Sequence, residues 1–328
     1  MAARGASGAP DGTGLAWLSL LKKLALLPSS LWLERADLSI HAGEGAPAAR
    51  GVYIGEGLSL SHFRELYRSP SCGRTWIPVW RLRDSILKAC AASDVVLVEL
   101  NSALVFLLPD GGWAADSWVR QETDLNGEFY QRRTRGIERG WGQKVRRQGF
   151  QYRLSRDKDD LIKFYQQHYT PHLLRRHGPG ASIRRLPELR AAVRSGFLLQ
   201  VWRGEEWVSG LVASREGSRL RLLASGAISS LLVRQGALAA AYYFVFRWAR
   251  EAGVETIDFC GSRPHLLDGV FQHKSLWAAQ PRHDPWHHTE IVFYLSRERT
   301  LPETVTQQLV REGGRYVTIQ ERLSEGPR

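Results

Sequence analysis

The chain has 328 residues, of which 43% are hydrophobic, and it carries a formal net charge of +12. That length allows two domains, and the composition is ordinary for a globular protein. The three cysteines, Cys72, Cys90 and Cys260, are odd in number and lack the spacing of a metal site. They argue against a disulfide framework and favour a reducing compartment, so we expect a cytoplasmic protein. The positive charge predicts an anionic partner, which could be nucleic acid, a phosphorylated cofactor or a lipid surface.

The N-terminal region, residues 1–30, is predicted to be a disordered Ala/Gly-rich tail followed by an amphipathic helix at Leu15–Leu27. Lys22 and Lys23 interrupt the apolar run, which is therefore too short to span a bilayer and makes a poor signal peptide. The helix either docks on the body of the protein or lies on a membrane surface. In the second case the protein is membrane-peripheral.

Residues 31–130 carry weaker signals, which indicate a mixed α/β half that serves as a scaffold or a substrate-binding lobe. The pattern predicts two short strands, a helix and a strand pair, in that order. These elements are Gly51–Ile54, Trp76–Trp80, Arg83–Ala92, and the pair Val95–Leu100 and Ala103–Leu108.

A strongly basic segment follows at Gln131–Arg156. It contains nine Lys or Arg residues and one acid, Glu138, so its charge is +8. Trp141, Phe150 and Tyr152 lie between the basic residues. The segment is either a solvated helix face leading into a strand or a surface for the phosphates of a nucleotide cofactor or a tRNA.

The next segment, Asp157–Tyr169, has the apolar spacing of an amphipathic helix. His168 and His172 are four residues apart, a spacing that can hold zinc. No third ligand lies in register, and Pro171 is expected to break the helix that would align the two. We therefore expect no metal. A second short helix is predicted at Pro187–Arg194.

The clearest pattern begins at Gly196. Three apolar segments at hairpin spacing predict an antiparallel meander, followed by a long helix with one buried stripe and two further strands. This order predicts an α+β domain with one crossover helix. The elements are Phe197–Trp202, Trp207–Ser214, Arg219–Ser225, the helix Gly236–Ala252, and the strands Val254–Phe259 and Thr289–Leu295.

The start of the long helix is basic and contains a glycine. Free backbone N–H groups and the helix dipole at such a position make a seat for a pyrophosphate. We therefore expect Arg234, Gln235, Gly236 and Ala237 to bind the phosphates of a cofactor.

Four stretches resemble the GNAT-type acyltransferase domain of the FemAB-like and cellulose-biosynthesis-associated proteins. They are RRTRGIERGWGQKVRRQGF (132–150), RRHG (175–178), GALAAAYYFVFRWAREAG (236–253) and DFCGSRPHLLDGVFQHKSLW (258–277). The resemblance implies a GNAT-like α+β fold, with a mixed and mostly antiparallel sheet flanked by helices. It also implies two GNAT-like halves: a degenerate one at 31–130, the acyltransferase domain at 131–296, and then a C-terminal extension at 297–328.

The sequence departs from the pattern of this family at four positions. Val233 and Leu238 occupy places that the family's pyrophosphate loop gives to other residues. Cys260 and Ala278 stand where the family usually has glycine. These departures concern the identity of the donor more than the fold.

The resemblance also implies the members of the site. Acyl transfer to an amine needs a polarised carbonyl, donors to the oxyanion and a route for the proton. The oxyanion donors are expected in the backbone near Ser225 and Gly226, which also join the predicted cofactor-binding set. Lys274 is the candidate cation beside the acyl group, and Asp258 is a candidate general base. The candidate substrate-binding residues are Arg176, His177, Ser262, Arg263, Asp268 and Trp277.

These features predict an N-acyltransferase that uses acyl-CoA, such as acetyl-CoA, and an amine acceptor in a direct transfer. One alternative is a FemAB-like aminoacyltransferase that uses aminoacyl-tRNA. The other is a noncatalytic binding module of a polysaccharide or cell-envelope assembly system. An amino sugar, a peptide amine and a lipid-linked envelope precursor are all compatible acceptors.

Overall fold

The computed structural model describes residues 31–41, 49–69, 73–178, 181–284, 287–296 and 300–325. They form two compact units. Unit 1 takes its residues from 1–119, 263–271 and 283–328, and unit 2 takes its residues from 120–262 and 272–282. Each unit is thus built from separate stretches, whereas the sequence predicted continuous ranges. The predicted helix Leu15–Leu27 lies outside the described residues.

The strands are numbered in chain order. They are β1 Trp32–Ile40, β2 Ala49–Gly55, β3 Arg74–Pro78, β4 Val95–Asn101, β5 Trp113–Asp116, β6 Val119–Asp124, β7 Phe150–Ser155, β8 Gly196–Arg203, β9 Glu206–Glu216, β10 Arg219–Ala227, β11 Thr256–Ser262, β12 Gln280–His283, β13 Thr289–Leu295, β14 Leu309–Glu312 and β15 Arg315–Thr318.

The α-helices are numbered in the same way. They are α1 Leu60–Leu66, α2 Leu82–Ala92, α3 Glu128–Ile137, α4 Gln143–Arg147, α5 Lys158–Lys163, α6 Thr170–His177, α7 Leu186–Ser195, α8 Ser230–Gln235, α9 Ala237–Glu251, α10 Gly269–Ser275, α11 Glu303–Thr306 and α12 Ile319–Ser324. Short 3₁₀ turns lie at Val79–Arg81 and Ser102–Leu107, and π-helical turns at Glu138–Gly142 and Phe164–Tyr169. Within the described ranges, no helix is long and apolar enough to cross a bilayer.

Unit 1 contains a six-stranded sheet in the order β3-β1-β2-β4-β13-β5. Its β2–β4 pair is parallel, and the other four pairs are antiparallel. Side chains on both faces are buried, because Tyr53, Leu97 and Phe293 enter one apolar cluster while Ile54 and Val98 enter another. The sheet therefore has a core on each side.

Two predictions for unit 1 need correction. The strand predicted at Ala103–Leu108 is wrong, since Ser102–Leu107 forms a 3₁₀ turn. The Asn101 side chain accepts the Ala103 N–H and so begins that turn. The strand Thr289–Leu295 has the predicted bounds, but it pairs with β4 and β5 in this sheet.

Unit 2 contains a seven-stranded sheet in the order β12-β6-β11-β10-β9-β8-β7. The predicted meander is confirmed as β8, β9 and β10, which pair antiparallel in sequence order. One face of the sheet packs on α9, with Leu211 against Val245 in one cluster. The other face packs on the segment 158–195, where Phe164 and Leu189 are completely buried. The fold is thus a mixed sheet flanked by helices, as predicted.

The helix around Pro171 does not break as predicted. α5, the π-helical turn and α6 follow one another without interruption. Pro171 lies in the first turn of α6, directly after the wider π turn, where its missing N–H and its ring are tolerated.

Candidate functional site

The parallel pair β10–β11 is joined over only three residues. Arg219–Arg221 pair with Thr256–Asp258, and no further backbone pairing follows. A bulge between Leu222 and Ala224 shifts the register of β10 against β9 at the same level. Residues 222–227 of β10 and 259–262 of β11 therefore do not pair with each other. We call the region between them the β10–β11 gap.

Asp258, the last paired residue of β11, fixes the point where the gap begins. Its completely buried Oδ2 atom contacts the guanidinium groups of Arg120, Arg219 and Arg221 at 3.0, 3.2 and 3.3 Å. Its Oδ1 atom accepts the Cys260 N–H at 2.8 Å. Burial raises the pKa of Asp258, but Arg120, the Cys260 N–H and Arg219 outweigh burial and hold the pKa below its ordinary value. Such a carboxylate is a weak proton acceptor, so we propose that Asp258 sets the end of strand pairing and is not the general base.

The backbone turns sharply at Cys260, directly after Asp258. Cys260 has a φ of 61°, in the left-handed region that favours glycine. Its thiol donates to the Leu222 carbonyl at 3.3 Å, across the start of the gap. Burial, followed by the charge of Asp258, raises the pKa of the Cys260 thiol. A thiol held protonated in this way is a poor nucleophile.

Lys274 of α10 also holds the backbone turn at Cys260. Its Nζ atom donates to the Gly261 carbonyl at 2.6 Å and to the Cys260 carbonyl at 3.2 Å, and the side chain is buried. Two backbone carbonyls already contact this ammonium group, so we propose that Lys274 positions the end of β11 and places its charge beside the gap. Ser262 is also held, because its hydroxyl donates to Gln121 Oε1 at 2.6 Å.

An aromatic wall closes the gap on the side of α9. The Tyr242 hydroxyl lies 3.1 Å from Ser225 Oγ on β10, and its ring stacks on Phe259 of β11 at 5.9 Å. Trp277 stacks on Tyr242 at 5.5 Å and is completely buried. His273 meets the Tyr242 ring edge-on at 4.9 Å. We therefore propose that Trp277 supports this wall from within the core and does not bind substrate at the surface.

Two arginines that sequence reasoning missed hold the edge of β10. Arg184 Nε donates to the Leu223 carbonyl, at the bulge, at 3.0 Å. Arg175 donates to the Ala227 carbonyl at 2.9 Å. Gly226 lies between these points, where a Cβ atom would meet the His168 carbonyl oxygen at 2.5 Å. The glycine is thus required for close packing of the π-helical turn on β10.

The start of α9 is buried, so we propose that its backbone N–H groups do not bind the pyrophosphate. Gly236 has a φ of 99° and donates its N–H to Val233, which ends α8. Ala237 is completely buried, and its carbonyl accepts the Ser209 hydroxyl at 2.6 Å. The N–H groups of this helix end do not face solvent.

Positive charge nevertheless collects beside the start of α9. Lys144 Nζ donates to the Arg234 carbonyl at 3.2 Å, and its stem lies next to Gly236. Gln235 accepts a hydrogen bond from Arg203 at 2.8 Å. The predicted phosphate-binding residues therefore come together with two further cations from β8 and α4.

The basic segment is helical up to Arg147, from α3 through the π-helical turn to α4, and then continues into β7. Most of its basic side chains are exposed: Arg132, Arg133, Arg135, Arg139, Arg146 and Arg147. A cavity of about 520 Å³ lies between this stretch and α9, lined by Glu138, Tyr243, Arg247, Arg250 and Glu251. Its lining carries mixed charges and includes no residue of 222–227 or 259–262, so it is distinct from the gap.

The remaining predicted residues fall into two groups. Arg176 and His177 are exposed in the last turn of α6, in unit 2. Arg263 and Asp268 belong to unit 1. There Arg263 lies over the Trp118 ring at 5.2 Å, and burial lowers the pKa of its guanidinium. Asp268 Oδ1 accepts two backbone N–H groups at the start of α10, at 2.8 and 2.9 Å.

The two histidines with zinc-like spacing are core residues. His168 Nε2 lies 2.9 Å from the Trp207 carbonyl, and its ring contacts the Trp207 ring at 4.5 Å. Burial lowers the pKa of His172 to about 4. Among the residues that the structure describes, no three His, Cys, Asp or Glu residues are grouped as metal ligands.

The structure therefore brings most of the predicted residues of unit 2 to one end of its sheet. Tyr242 and His273 lie in stretches that resemble the acyltransferase family, but neither was predicted as a site residue, and no signal marked Arg184. Their roles depend on partners 17 to 39 residues away in the chain, which spacing alone does not reveal.

Residues 131–275 match the family model described as "Acetyltransferase (GNAT) domain". The match identifies an acyltransferase domain. It covers less than half of the chain and contains β10, the gap and α9. No curated protein matches the chain.

Several solved structures are similar to this chain at low identity. The structure of L-PGS from Bacillus licheniformis has a TM-score of 0.39 at 12% identity, covering 92% of this chain and 96% of that one. The crystal structure of FemX has a TM-score of 0.41 at 12% identity, covering 86% and 91%. A putative GNAT-family acetyltransferase from Novosphingobium aromaticivorans has a TM-score of 0.31 at 11% identity, covering 62% and 75%. Likenesses of this size establish neither a shared substrate nor a shared donor.

Proposed function

We propose that unit 2 transfers an acyl group from acyl-CoA directly to an amine, with the reacting carbonyl in the β10–β11 gap. The observation that carries this proposal is the early end of pairing at Asp258 beside the bulge in β10. A strand edge without a neighbour offers backbone N–H and C=O groups to an extended ligand. The pantetheine arm of CoA is extended and contains two amides, so it suits such an edge.

We expect the phosphates of acyl-CoA to bind side chains and not the N–H groups at the start of α9. The start of α9 is buried, whereas Arg234 is exposed and Lys144 lies beside Gly236. Hydrogen bonds from charged donors are worth roughly 1.5–3 kcal/mol each, enough to hold a diphosphate without the helix dipole.

A second donor, aminoacyl-tRNA, is favoured by a separate observation. Six exposed arginines along α3, the π-helical turn and α4 form a basic face that suits a polyanion. Binding of a polyanion to such a face weakens steeply with salt, because each neutralised phosphate releases counterions.

Thermal melts of the purified protein separate the two donors. A ligand present at about 100 times its Kd raises the free energy of unfolding by roughly 2.7 kcal/mol. Stabilisation by acetyl-CoA and CoA, without stabilisation by aminoacylated tRNA, supports the first proposal, and the reverse supports the second. Absence of both shifts, with no transfer to hydroxylamine as a simple acceptor, would overturn both.

Two matched variants sharpen this test. Arg234→Gln with Lys144→Gln should raise the KM for acetyl-CoA about tenfold or more, because two charge-assisted contacts to phosphate are lost. Arg135→Gln with Arg139→Gln removes the same charge from the exposed face of α3 and the adjoining π-helical turn. This control should leave the KM for acetyl-CoA unchanged and weaken only binding of tRNA.

A further inference from the structure

His273 is a half-buried residue with one buried ring nitrogen whose bonding capacity the fold does not use. It lies on α10, next to Lys274, and its Nε2 atom is shielded from solvent. Within the described part of the chain, this atom has no hydrogen-bond partner. Leaving a buried polar atom unpaired costs about 1–3 kcal/mol, so such an atom calls for an explanation.

The surroundings of His273 place it at the β10–β11 gap. Its ring lies edge-on against Tyr242, with the two ring centroids 4.9 Å apart. The Tyr242 hydroxyl in turn meets Ser225 of β10, and the Tyr242 ring covers Phe259 of β11. His273 therefore shares a wall with both strands that border the gap.

The charged groups around the ring are cations. Burial first, then the charges of Arg176 and Lys274, lower the pKa of His273 to about 4. At pH 7 the imidazolium is thus disfavoured about a thousandfold relative to the neutral ring. A general base must become imidazolium during the reaction, so this environment opposes that role.

The same environment favours a different role. A positive field that repels an imidazolium attracts a negatively charged oxygen, and a neutral imidazole still offers one N–H donor. We propose that His273 donates a hydrogen bond from Nε2 to the carbonyl oxygen of the acyl group as that oxygen becomes an oxyanion. This inference rests on the proposed acyl transfer and assigns to that site a catalytic residue outside the predicted set.

The reaction balances without transfer of a proton to or from His273. The lone pair of the amine forms the new C–N bond, and the π electrons of the carbonyl move to its oxygen. His273 and the field of Arg176 and Lys274 stabilise that oxyanion. The C=O bond then re-forms, the C–S bond of the thioester breaks, and the amine proton leaves with the thiol or to solvent.

Two variants of His273 distinguish a donor from a base. His273→Phe removes the donor, and loss of one oxyanion donor costs about a hundredfold in kcat. His273→Gln keeps an N–H donor near the same place but cannot take up a proton. With acetyl-CoA and hydroxylamine, we expect the phenylalanine variant to lose about a hundredfold in kcat with little change in KM. The glutamine variant should recover most of that loss and keep the pH profile of the wild type.

A control and a spectroscopic readout separate folding from chemistry. His172→Gln replaces a buried histidine whose pKa is also about 4, and it should leave kcat within about twofold. In the wild type, the ¹⁵N signal of His273 should report a neutral ring from pH 5.5 to 8. Addition of S-acetonyl-CoA, a stable ketone analogue, should shift the Nε2 signal toward that of a hydrogen-bonded donor.

The possible failures point to different conclusions. If the wild type transfers acetyl groups and His273→Phe matches it, only the role of His273 is overturned. Equal loss in both His273 variants, together with a lost limb of the pH profile, would replace the donor with a base. If the wild type neither binds acetyl-CoA nor transfers from it, the proposed function fails first.

Discussion

Each unit contains a parallel strand pair near the middle of its sheet, and these two pairs differ in how many residues they join. In unit 1, β2 and β4 pair over five residues, from Gly51–Val95 to Gly55–Glu99. In unit 2, β10 and β11 pair over three and then separate. We call β2–β4, which stays paired, the closed pair, and β10–β11, which separates, the open pair.

Buried polar groups explain the closed pair. The Tyr53 hydroxyl donates to Glu99 Oε2, which also accepts the Ser59 N–H at 3.0 Å. A Cβ atom on Gly55 would meet the Glu99 carbonyl oxygen at 2.5 Å, so the strands touch at their ends. No ligand arm fits between strands this close. In the β10–β11 pair, by contrast, side chains stop the pairing early and leave the gap that we propose as the reaction site.

Filling the β10–β11 gap should have the largest effect on activity. Ser225→Phe places a ring where the gap narrows against Tyr242, so the donor can no longer enter. We expect kcat/KM for acetyl-CoA to fall about a thousandfold or more, equivalent to roughly 4 kcal/mol. Circular dichroism and the melting temperature would show whether the fold survives. Normal transfer by a folded variant would place the reaction elsewhere.

Removing the charge of Asp258, where the β10–β11 pairing ends, should lower the free energy of unfolding. Asp258→Asn leaves three guanidinium groups around an uncharged side chain, and breaking a buried ion pair costs about 3 kcal/mol. The pKa of Asp258 is lowered in the folded protein, so its contribution is present above the unfolded pKa of about 4 and is lost as pH falls through the folded pKa. Urea unfolding of both proteins between pH 7 and pH 3 measures this.

The pH dependence supplies the decisive comparison for Asp258. The advantage of the wild type over Asp258→Asn should begin to shrink as the pH falls below about 4, the unfolded pKa. A constant difference across that range would show that the carboxylate charge is not what stabilises the end of pairing.

Loosening the backbone contact beside the gap should have a smaller effect. Gly226→Ala puts a Cβ atom 2.5 Å from the His168 carbonyl oxygen, so the π-helical turn must move away from β10. Strain of this kind costs about 2 kcal/mol. Gly136→Ala is the matched control, because nothing lies within 4 Å of the new atom on α3. It should stabilise the protein by about 0.5–1 kcal/mol. Equal effects in chemical denaturation would contradict this difference in packing.

Disturbing the closed pair should affect stability alone. Tyr53→Phe removes the hydroxyl that donates to Glu99 and accepts the Gly57 N–H at 2.8 Å. We expect a loss of about 1–2 kcal/mol in the free energy of unfolding with unchanged kcat. A clear fall in kcat for a stable Tyr53→Phe variant would implicate unit 1 in the chemistry.

The sequence predicted local elements of unit 2 well and their long-range partners poorly. Glycines at turns separated the meander strands, and a regular apolar stripe marked α9. The short helix α8 was missed because its six residues hold no full apolar period. The left-handed backbone at Cys260 and Ala278 explains why glycine usually stands there in the resembling family. The partners of Asp258 and Lys274 come from other elements, which no local pattern encodes.

The strand Thr289–Leu295 illustrates the same limit in unit 1. Its continuous apolar run predicted a strand with the correct bounds, but not the sheet that it joins. Its partners in β4 are about 190 residues away, and pairing across such a distance is set by packing and not by local preference.

Hydrogen exchange measured residue by residue, with and without an acyl donor, tests most directly whether the open pair is the site. With saturating S-acetonyl-CoA, we expect slower exchange of amides in 222–227 and 259–262 and no change in β2 or β4. Protection of β2 and β4, or no protection at the gap while transfer proceeds, would contradict it.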